Sequence, residues 1–404
     1  MNPQTLQQAE QLLQEYRLCD ACLGRLFRDE ITEGNNDEKG QFLKKQLHRQ
    51  EKILSKECWL CEGLTGEIYH FVDLITETLN DYEFDTFLIG SKIDEDIQEK
   101  EHHLWNQLKL EDAEPIKMEI NREIGKILEP QLKKTVDILN PDIMAVIDTS
   151  FDAVSLQISS LFIYGRYRKL QRGIPQTKWP CQICFGKGCK KCNYTGRLYE
   201  ITVEELIAKK VLGRTKGTGE SFHGSGREDI DALMLGSGRP FVLEIKNPKK
   251  RNINLTLLEN EINQTTKNKV EVSGLRFSNR DEIARIKSAE FRKTYRVTLE
   301  AAKPLNKEKL IKVAQALQGK IIKQLTPTRV AHRRANKVRE RLIYNCTIES
   351  VEGIIARLTL ETESGTYVKE FISGDDEKTK PNLSELIGIP CKVTELDVID
   401  VKGE

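Results

Sequence analysis

The chain has 404 residues, of which 38% are hydrophobic and 31% are charged, so it is long enough for two or three domains with separate cores. It contains no run approaching the roughly 20 apolar residues of a membrane span, and its first residues lack the basic and apolar regions of a secretory signal. We therefore expect an intracellular, cytoplasmic protein with no membrane partner.

The formal net charge of +1 hides an asymmetry between two parts of the chain. Residues 1–150 contain 17 basic and 31 acidic side chains, a net charge of −14, whereas residues 151–404 have a net charge of +15. A basic C-terminal part suits a polyanionic partner. A solvated, salt-bridged surface is the alternative explanation for the scattered charges.

The first 65 residues predict a helical module stapled by cysteines. Apolar residues with helical spacing indicate one helix over residues 6–16 and another over residues 42–54. Clustered Cys-x-x-Cys pairs in an intracellular chain are typical of zinc sites rather than disulfides. We expect four thiolates to close one tetrahedral site, and they belong to the pairs Cys19/Cys22 and Cys58/Cys61.

Residues 66–175 show a mixed helical and strand pattern. A helical stripe runs from Ile120 to Leu139, a strand is expected at 143–147, and a period-two run extends from Val154 to Ile163. The run ends in the basic segment 164–172, which contains Arg166, Arg168 and two tyrosines. Interleaved arginines and aromatics suit RNA phosphates and bases, although a solvated strand end would look similar. This ending resembles that of a THUMP domain, a module of many tRNA-modifying enzymes.

Residues 176–200 form a short linker with its own metal signal. Four cysteines fall within twelve residues, namely Cys181, Cys184, Cys189 and Cys192, and four basic side chains surround them. This spacing predicts a zinc knuckle. The loop between the two pairs is short, so a metal shared with another pair stays open. We interpret the knuckle as a structural hinge that also touches RNA.

Residues 201–404 predict one α+β domain of strands with intervening helices. Period-two patterns place Tyr295 on one strand and Lys369 on another, with Tyr367 on the same face as Lys369, and a helix is expected near 305–318. Asp229 lies in a turn rich in glycine, beside Arg227. The turn can present its carboxylate to a ligand, but Asp229 can equally be the N-cap of a helix over Ile230–Leu235.

Three short motifs from this region resemble those of pseudouridine synthases. Gly226–Asp229 looks like the Gly-Arg-Thr-Asp motif that carries their catalytic aspartate. Lys293–Tyr295 looks like their Lys-x-Tyr motif, and Gly365–Lys369 like their Gly-Thr-Tyr-Ile-Arg motif. With the paired cysteines, the THUMP-like part and the segment 324–334, the chain is similar over nearly its whole length to the tRNA pseudouridine synthase ten family of archaea and eukaryotes.

The resemblance implies an α+β, multidomain enzyme: a zinc-bearing N-terminal part with a THUMP-like domain, then a pseudouridine synthase catalytic domain built on a mixed, largely antiparallel sheet flanked by helices. The expected division is 1–65, 66–175, 176–200 and 201–404. The family isomerises tRNA uridine 55 and, in many members, uridine 54. The implied catalytic residues are Asp229, Tyr295 and Lys369.

The expected tRNA contacts are Arg227, Tyr367, Arg329, Arg333 and Arg334, together with Arg166 and Arg168 in the THUMP-like part. These would engage the T arm and the acceptor or elbow region. The isomerisation needs no cofactor, so zinc would be structural, and no obligatory protein partner is inferred.

Two other functions remain open at the level of sequence. Asp229 or Asp231 followed by Glu244-Ile245-Lys246 resembles the Asp…Glu-x-Lys pattern of Mg²⁺-dependent nucleases. A non-catalytic, zinc-bearing tRNA-binding protein would show the same cysteines and basic patches. The set of Asp229, Tyr295 and Lys369 distinguishes the synthase from both.

Overall fold

The computed structural model describes residues 3–31, 33–49, 51–110, 113–333 and 335–402, except for the side chains of residues 332 and 333. The chain divides into two compact units. The first comprises Met1–Ser160 and Lys246–Asn252, and the second comprises Leu161–Ile245 and Ile253–Glu404. The backbone therefore passes between the units three times.

The first unit is helical at its N-terminal end and contains one small sheet. Its strands have the order β2-β1-β3-β4, in which β1 is parallel to β2 and β3, and β4 is antiparallel to β3. The helices are α1 (Pro3–Glu15), α2 (Asp20–Leu26), α3 (Asn36–Gln46), α4 (Ile68–Leu79), α5 (Glu95–Leu108) and α6 (Ile116–Leu132). The strands are β1 (Thr86–Lys92), β2 (Thr135–Val136), β3 (Ile143–Asp148) and β4 (Ala153–Ile158).

The predicted helical stripe is confirmed as α6 as far as Leu132, and the strand after it is confirmed as β3. The extension of the stripe to Leu139 is wrong, because Lys133 ends the helix in the left-handed conformation and Leu139 lies exposed in the loop before β3. Helix α6 and strand β3 bury their apolar faces in one core, because residues at helical spacing on α6 and alternate residues on β3 point to the same side. The fully buried side chains include Ile120, Ile124, Leu128, Ile143 and Ile147.

Helices α2 and α3 cross with their backbones in contact. A Cβ atom on Gly24 would lie 1.8 Å from the carbonyl oxygen of Asn36, and one on Gly40 would lie 1.9 Å from that of Asp20. Both positions therefore require glycine. This crossing holds the N-terminus of α2, where Cys19 and Cys22 lie, against the rest of the helical module.

Residues 246–252 form a strap that belongs to the first unit. The backbone N–H of Glu83 donates to the carbonyl of Lys249 at 2.8 Å. Ion pairs join Lys250 to Glu83 at 3.0 Å and Arg251 to Asp142 at 3.2 Å. Within the residues that the structure describes, no helix of either unit is long and apolar enough to cross a bilayer.

The second unit is built on a ten-stranded sheet with helices packed on it. The helices are α7 (Val203–Thr215), α8 (Leu255–Thr265), α9 (Arg280–Ser288), α10 (Lys307–Leu317), α11 (Val368–Ser373) and α12 (Leu383–Ile387). The strands are β5 (Leu161–Lys169), β6 (Gly219–Gly224), β7 (Leu233–Lys246), β8 (Val270–Ser278), β9 (Lys293–Ala301), β10 (Ile321–Gln324), β11 (Arg339–Glu352), β12 (Ile355–Thr362), β13 (Thr379–Lys380) and β14 (Cys391–Val401).

The strand order is β13-β10-β11-β12-β9-β14-β7-β5-β8, with β6 paired to β7. Strands β14 and β7 pair in parallel, whereas the registers of β5, β8, β9, β10, β11, β12 and β13 are antiparallel. The predicted mixed, largely antiparallel sheet is thus confirmed. Tyr295, Val297 and Leu299 of β9 point into the core, as their alternation predicted.

The run from Val154 to Ile163 forms two strands in different sheets. Strand β4 pairs with β3 in the first unit, whereas β5 pairs with β7 and β8 in the second. The segment containing Arg166 and Arg168 therefore belongs to the second unit, and the limit between units falls near 160 rather than 175. Alternation fixes which face a residue occupies, but partners distant in sequence decide which sheet a strand joins.

The prediction of a strand through Lys369 is wrong, because the segment forms helix α11. The side chain of Gln324 forms hydrogen bonds with both backbone groups of Tyr367. It accepts from the N–H at 2.8 Å and donates to the carbonyl at 3.0 Å. A side chain thus replaces a strand partner at Tyr367. The helix ends at Ser373 and is followed by Gly374, whose φ of +89° suits glycine.

Candidate active site and cysteine clusters

A cavity of about 530 Å³ opens in the second unit beside the loop that joins β6 to β7. The loop supplies Asp229, strand β9 supplies Tyr295, and the turn before α11 supplies Tyr367. Arg329 of the 3₁₀ helix Thr328–Arg333, and Arg339 and Arg341 of β11, also line the cavity. The cavity therefore combines two carboxylates, those of Glu228 and Asp229, with aromatic rings and several cations.

The loop is anchored from its buried side by Glu228. Both oxygens of this carboxylate accept from the hydroxyl of Tyr167, at 2.8 and 3.0 Å, and one accepts from Nε of Arg239 at 2.9 Å. Tyr167 and Arg239 are fully buried, so the ion pair is shielded from water. Arg239 also donates to the carbonyl of Ser225 at 2.8 Å and thereby fixes the start of the loop.

Two more buried side chains hold the loop backbone directly. The ammonium group of Lys169 donates to the carbonyls of Asp229 at 3.2 Å and Ile230 at 3.1 Å. The amide of Gln176 donates to the carbonyl of Gly226 at 3.0 Å and to the hydroxyl of Tyr167 at 2.8 Å. The backbone on either side of the Asp229 carboxylate is thus positioned by groups that lie beneath it.

The side chain of Asp229 lies on the cavity side, between two cations. Its Oδ2 lies 3.3 Å from Nζ of Lys369, and its Oδ1 lies 3.4 Å from Nη1 of Arg329. Lys369 also contacts Asp231 at 3.0 Å, and Glu370 accepts from Nε of Arg329 at 2.6 Å. Burial raises the pKa of the Asp231 carboxyl, but the hydrogen bond from Lys369, together with the charges of Lys369 and Arg172, lowers that pKa below its ordinary value.

Asp229 is not a helix N-cap. Residues 230 and 231 form a turn, and strand β7 begins at Leu233. The extended chain after the turn leaves the carboxylate free to face the cavity cations.

Strand β9 brings Tyr295 and Lys293 to the floor of the cavity, and both are 9% exposed. Burial raises the pKa of the Tyr295 hydroxyl to about 12, so the phenol is neutral near pH 7. Burial, and next the charge of Arg239, lower the pKa of Lys293 to about 7. The site thus holds a lysine that gives up its proton readily.

The expected RNA-binding residues separate into two groups. Arg227, Arg329 and Tyr367 line the cavity, and the guanidinium of Arg227 lies 4.7 Å from the ring centre of Trp179. Arg334 and the side chain of Arg333 lie outside the described residues. Thr328–Arg333 form a 3₁₀ helix, and strand β11 begins at Arg339.

Arg166 and Arg168 are engaged elsewhere. The guanidinium of Arg166 donates to the carbonyls of Ser237, Gly238 and Val401 at 2.8 to 3.0 Å. Arg168 forms an ion pair with Glu271. In this structure both arginines bind other parts of the second unit instead of the cavity.

The nuclease pattern does not assemble into a metal site. Glu244 contacts Nε2 of His223 at 3.1 Å and does not line the cavity that contains Asp229. Within the described ranges, three or more acidic, His or Cys ligand atoms gather within 4.8 Å of one another only in two groups, both made of cysteines. Asp229, Asp231 and Glu244 therefore do not converge as the two-carboxylate Mg²⁺ pattern requires.

The first cysteine group contains Cys19, Cys22, Cys58 and Cys61, which are all buried in the first unit. The Sγ atoms of Cys19 and Cys61 are 3.8 Å apart, close to the tetrahedron edge of about 3.8 Å that Zn–S bonds of about 2.3 Å produce. The fully buried Arg25 approaches Sγ of Cys22 at 3.8 Å. The four donors fit a zinc ion, with a cation beside them to offset thiolate charge.

The second group contains Cys181, Cys184, Cys189 and Cys192. Three of its Sγ–Sγ separations are 3.8 to 3.9 Å, so the four thiolates fit one zinc and need no ligand from another pair. Burial raises the pKa of Cys192, but N–H groups of Cys189 and Gly196 donate to its sulfur and lower that pKa to about 6. The twelve-residue spacing is thus sufficient for a self-contained site.

Sequence reasoning missed the side chains that hold the loop from beneath. Tyr167, Lys169, Glu228 and Arg239 were not selected, because their roles depend on contacts across 9 to 61 positions. Charged residues at inward positions of β5 and β7 were the available signal, since a buried charge requires a partner. The contact between Arg329 and Asp229 gave no local signal.

Two family models match the chain. The model described as "Pus10, C-terminal" covers residues 162–402, and "Pus10 THUMP domain, archaeal" covers residues 71–148. The start of the first match agrees with the start of the second unit at Leu161. Apart from residues 246–252, which belong to the first unit, the C-terminal match therefore falls on the second unit and the THUMP match falls on the first.

Several curated proteins are similar over almost the full length. The "tRNA pseudouridine synthase Pus10" of Methanothrix thermoacetophila is 40% identical, covering 96% of this chain and 92% of the relative. Its namesake from Halorubrum lacusprofundi is 39% identical, covering 96% and 94%. A chain in a solved Cbf5-Nop10-Gar1 complex is 14% identical, with a TM-score of 0.33, and the match covers 59% of this chain and 48% of that one. This similarity is too low to support an argument.

Proposed function

Because the chain belongs to the Pus10 family of tRNA pseudouridine synthases, and is therefore an isomerase, we propose that it converts uridine 55, and uridine 54 as well, of the tRNA T loop to pseudouridine. The observation that carries this proposal is the carboxylate of Asp229, held in the cavity between Lys369 and Arg329. The loop geometry supports a carboxylate that meets a nucleotide rather than one packed in the core.

The reaction breaks the N1–C1′ bond of uridine and forms a bond between C5 and C1′. The C5 hydrogen leaves as a proton, and N1 of the rotated base gains one, so the isomerisation is balanced without a group donor or a redox partner. Asp229 supplies its carboxylate either as a nucleophile, at C1′ or C6, or as the anion that stabilises the separated fragments. Lys369 and Arg329 balance its charge before substrate arrives.

Tyr295 is proposed to stack on the target base and to assist proton transfer at C5. Its raised pKa means that the hydroxyl is a neutral group able to donate and accept a hydrogen bond. The target uridine must leave its stack to enter a cavity of this size. Tyr367 lines the same cavity and offers a second ring.

The proposed partner is tRNA, bound through its T arm and its acceptor or elbow region. Arg329, Arg339 and Arg341 line the cavity and would meet the phosphates on either side of the flipped nucleotide. The matched THUMP region 71–148 supports a second contact with the tRNA.

Each cysteine group is proposed to hold one structural zinc ion. Bound zinc would cross-link Cys19/Cys22 to Cys58/Cys61, and Cys181/Cys184 to Cys189/Cys192, and would stabilise those folded segments. Neither group lines the cavity, so the proposed isomerisation proceeds without the metal.

The test is pseudouridine mapping of an unmodified tRNA transcript in buffer that contains EDTA. Wild-type protein should modify T-loop uridines, whereas Asp229→Asn should lower turnover by at least about 10⁴-fold, since an amide replaces the carboxylate that lies between Lys369 and Arg329. The variant should bind the transcript within about threefold of wild type. Asp231→Asn, on the same loop and also in contact with Lys369, is the matched control and should retain most of the turnover.

Turnover retained by Asp229→Asn would remove the catalytic role of this aspartate. Wild-type protein that binds the transcript but leaves it unmodified would favour the non-catalytic tRNA-binding function. Cleavage that appears only when Mg²⁺ replaces EDTA would favour the nuclease.

A further inference from the structure

The second cysteine group lies at the end of a short two-stranded stem. Pro180 and Arg197 form a β-bridge, Cys181 N–H donates to the carbonyl of Gly196 at 2.8 Å, and Leu198 N–H donates to that of Trp179 at 3.0 Å. The two cysteine turns pack back to back, because a Cβ on Gly196 would lie 2.3 Å from the carbonyl oxygen of Gly186. We call residues 179–198 the knuckle.

The knuckle exposes two aromatic rings that contribute nothing to a core. Phe185 is 80% exposed and Tyr194 is 70% exposed. In the described part of the chain, neither ring contacts another aromatic ring or lies beneath a cation. Such exposure of two bulky rings on neighbouring turns calls for a ligand.

Both rings are also carried on backbone that disfavours them. Phe185 has φ of +50° and Tyr194 has φ of +60°, in the left-handed region that bulky residues rarely adopt and that glycine or asparagine adopts with ease. Asn193, which precedes Tyr194, occupies the same region at +50°. Since the fold would be served better by glycine or asparagine at both positions, the rings have a purpose other than stability.

The charge of the knuckle indicates what the rings would meet. Four basic side chains, those of Lys187, Lys190, Lys191 and Arg197, lie between residues 179 and 199, and no acidic residue does. Their four positive charges outnumber the two net negative charges that a zinc ion with four cysteine thiolates would have. Arg197 is paired with Glu205 at 2.8 Å, whereas the three lysines have no ion-pair partner among the described residues. Flat rings beside unpaired cations suit nucleobases and their phosphates.

The base of the knuckle adjoins the catalytic loop. Trp179, its first residue, lies under the guanidinium of Arg227, and Arg227 lines the cavity. Gln176, three residues before Trp179, donates to the carbonyl of Gly226 in the same loop. A nucleic acid whose nucleotide enters the cavity therefore has the knuckle next to its path.

We infer that the knuckle is a second RNA-binding site, in which Phe185 and Tyr194 stack on unpaired bases that flank the target uridine while the lysines contact phosphates. The inference rests on the proposed function, because the ligand is the tRNA substrate itself. The knuckle thereby grips the strand close to the position from which the base is flipped.

The test compares wild type with the double variant Phe185→Asn/Tyr194→Asn, using an unmodified tRNA transcript as the probe. Asparagine tolerates the left-handed backbone, so zinc content and the midpoint of thermal unfolding should stay at wild-type values. Loss of two stacking rings should raise Kd by about 10- to 100-fold and lower kcat/KM in parallel, while kcat at saturating transcript is retained. Phe185→Tyr/Tyr194→Phe keeps both rings and should bind as wild type does.

A Kd and a kcat/KM within twofold of wild type, with zinc retained, would overturn the inference and would leave the proposed function intact. Should wild type bind the transcript without modifying it, the proposed function fails, and the Kd comparison still decides whether the rings bind RNA. Lys190→Gln/Lys191→Gln should lower the slope of log Kd against log salt concentration by about 2. An unchanged slope would exclude the phosphate contacts.

Discussion

Glu228 and Asp229 are consecutive residues that both line the cavity, yet their side chains lie in two different regions. One is an inner region of buried charges, and the other is a cavity region whose charges are partly exposed. Glu228 is buried among Tyr167, Lys169 and Arg239, whose contacts fix its position from several sides. Asp229 is partly exposed and meets two cations at 3.3 and 3.4 Å. Tyr167 and Arg239 lie 2.8 to 3.0 Å from the oxygens of Glu228, whereas the two cations of Asp229 lie farther from its oxygens, at distances from which a substrate can displace them.

The comparison teaches how a loop can be both fixed and reactive. Buried hydrogen bonds hold the backbone, so the side chain of Asp229 needs no tight partners of its own. Its neighbours can then move or exchange partners when a nucleotide arrives without loss of the loop conformation. We expect stability to depend on the inner region and turnover to depend on the cavity region.

The largest effect is expected when the two carboxylates are converted to amides one at a time. Glu228→Gln leaves Arg239 and Lys169 buried without a counter-charge and should lower the free energy of unfolding of the second unit by about 3 kcal/mol. Asp229→Asn should change it by less than about 1 kcal/mol, since its ion pairs are partly exposed.

Urea unfolding followed by tryptophan fluorescence would measure the change in unfolding free energy for both variants. The chain has three tryptophans, at positions 59, 105 and 179, and a Trp59→Phe/Trp105→Phe background leaves Trp179, which contacts the loop residue Arg227. Equal losses for the two variants would mean that the inner and cavity regions do not differ in the way described.

A smaller effect is expected from removal of one cavity cation. Lys369→Met deprives Asp229 of a charged neighbour at 3.3 Å but leaves Arg329 in place, so turnover should fall by about 10- to 100-fold. Lys369→Arg keeps the charge and should retain most of the activity. Single-turnover rates with saturating transcript would measure the effect, and a rate unchanged in Lys369→Met would show that Arg329 alone suffices.

The smallest effect concerns Lys293, which lies where the two regions meet. Its pKa in the folded protein is about 7, below the ordinary value near 10.4 in an unfolded chain, so between these values the folded state binds fewer protons. The stability of wild type should therefore rise with pH relative to Lys293→Met, by about 1 kcal/mol between pH 6 and pH 8. Urea unfolding followed through Trp179 fluorescence would measure the unfolding free energy of both proteins at each pH. A constant difference between wild type and Lys293→Met from pH 6 to pH 8 would contradict the prediction.

Local patterns predicted the elements that depend on local chemistry. Helix α6, strand β3 and strand β9 follow from the spacing of their apolar residues, because each element buries one face. The cysteine spacing predicted that Cys181 and Cys192 belong to one cluster, as the structure shows. The resemblance of short motifs pointed to Asp229 and Lys369, whose Oδ2 and Nζ atoms lie 3.3 Å apart. Their roles in catalysis remain predictions.

What sequence patterns missed depends on partners that are far apart along the chain. The alternation through Leu161 gave no sign that β5 leaves the first sheet for the second. The helix at Lys369 depends on Gln324, 43 positions before Tyr367. The contact between Arg329 and Asp229, which are 100 positions apart, likewise had no local signal. Such contacts become visible only when the chain is folded.

The strap at Lys246–Asn252 has a consequence for how the protein is made. Apart from this segment, the first unit ends at Ser160. The carboxylates of Glu83 and Asp142 have no ion pair with Lys250 and Arg251 until the strap has been synthesised. During synthesis, N-terminal domains usually fold first, but here the ribosome must add more than eighty residues of the second unit before the first can be completed. The two units are therefore coupled in their assembly, and a fragment that ends at residue 160 lacks part of its own fold.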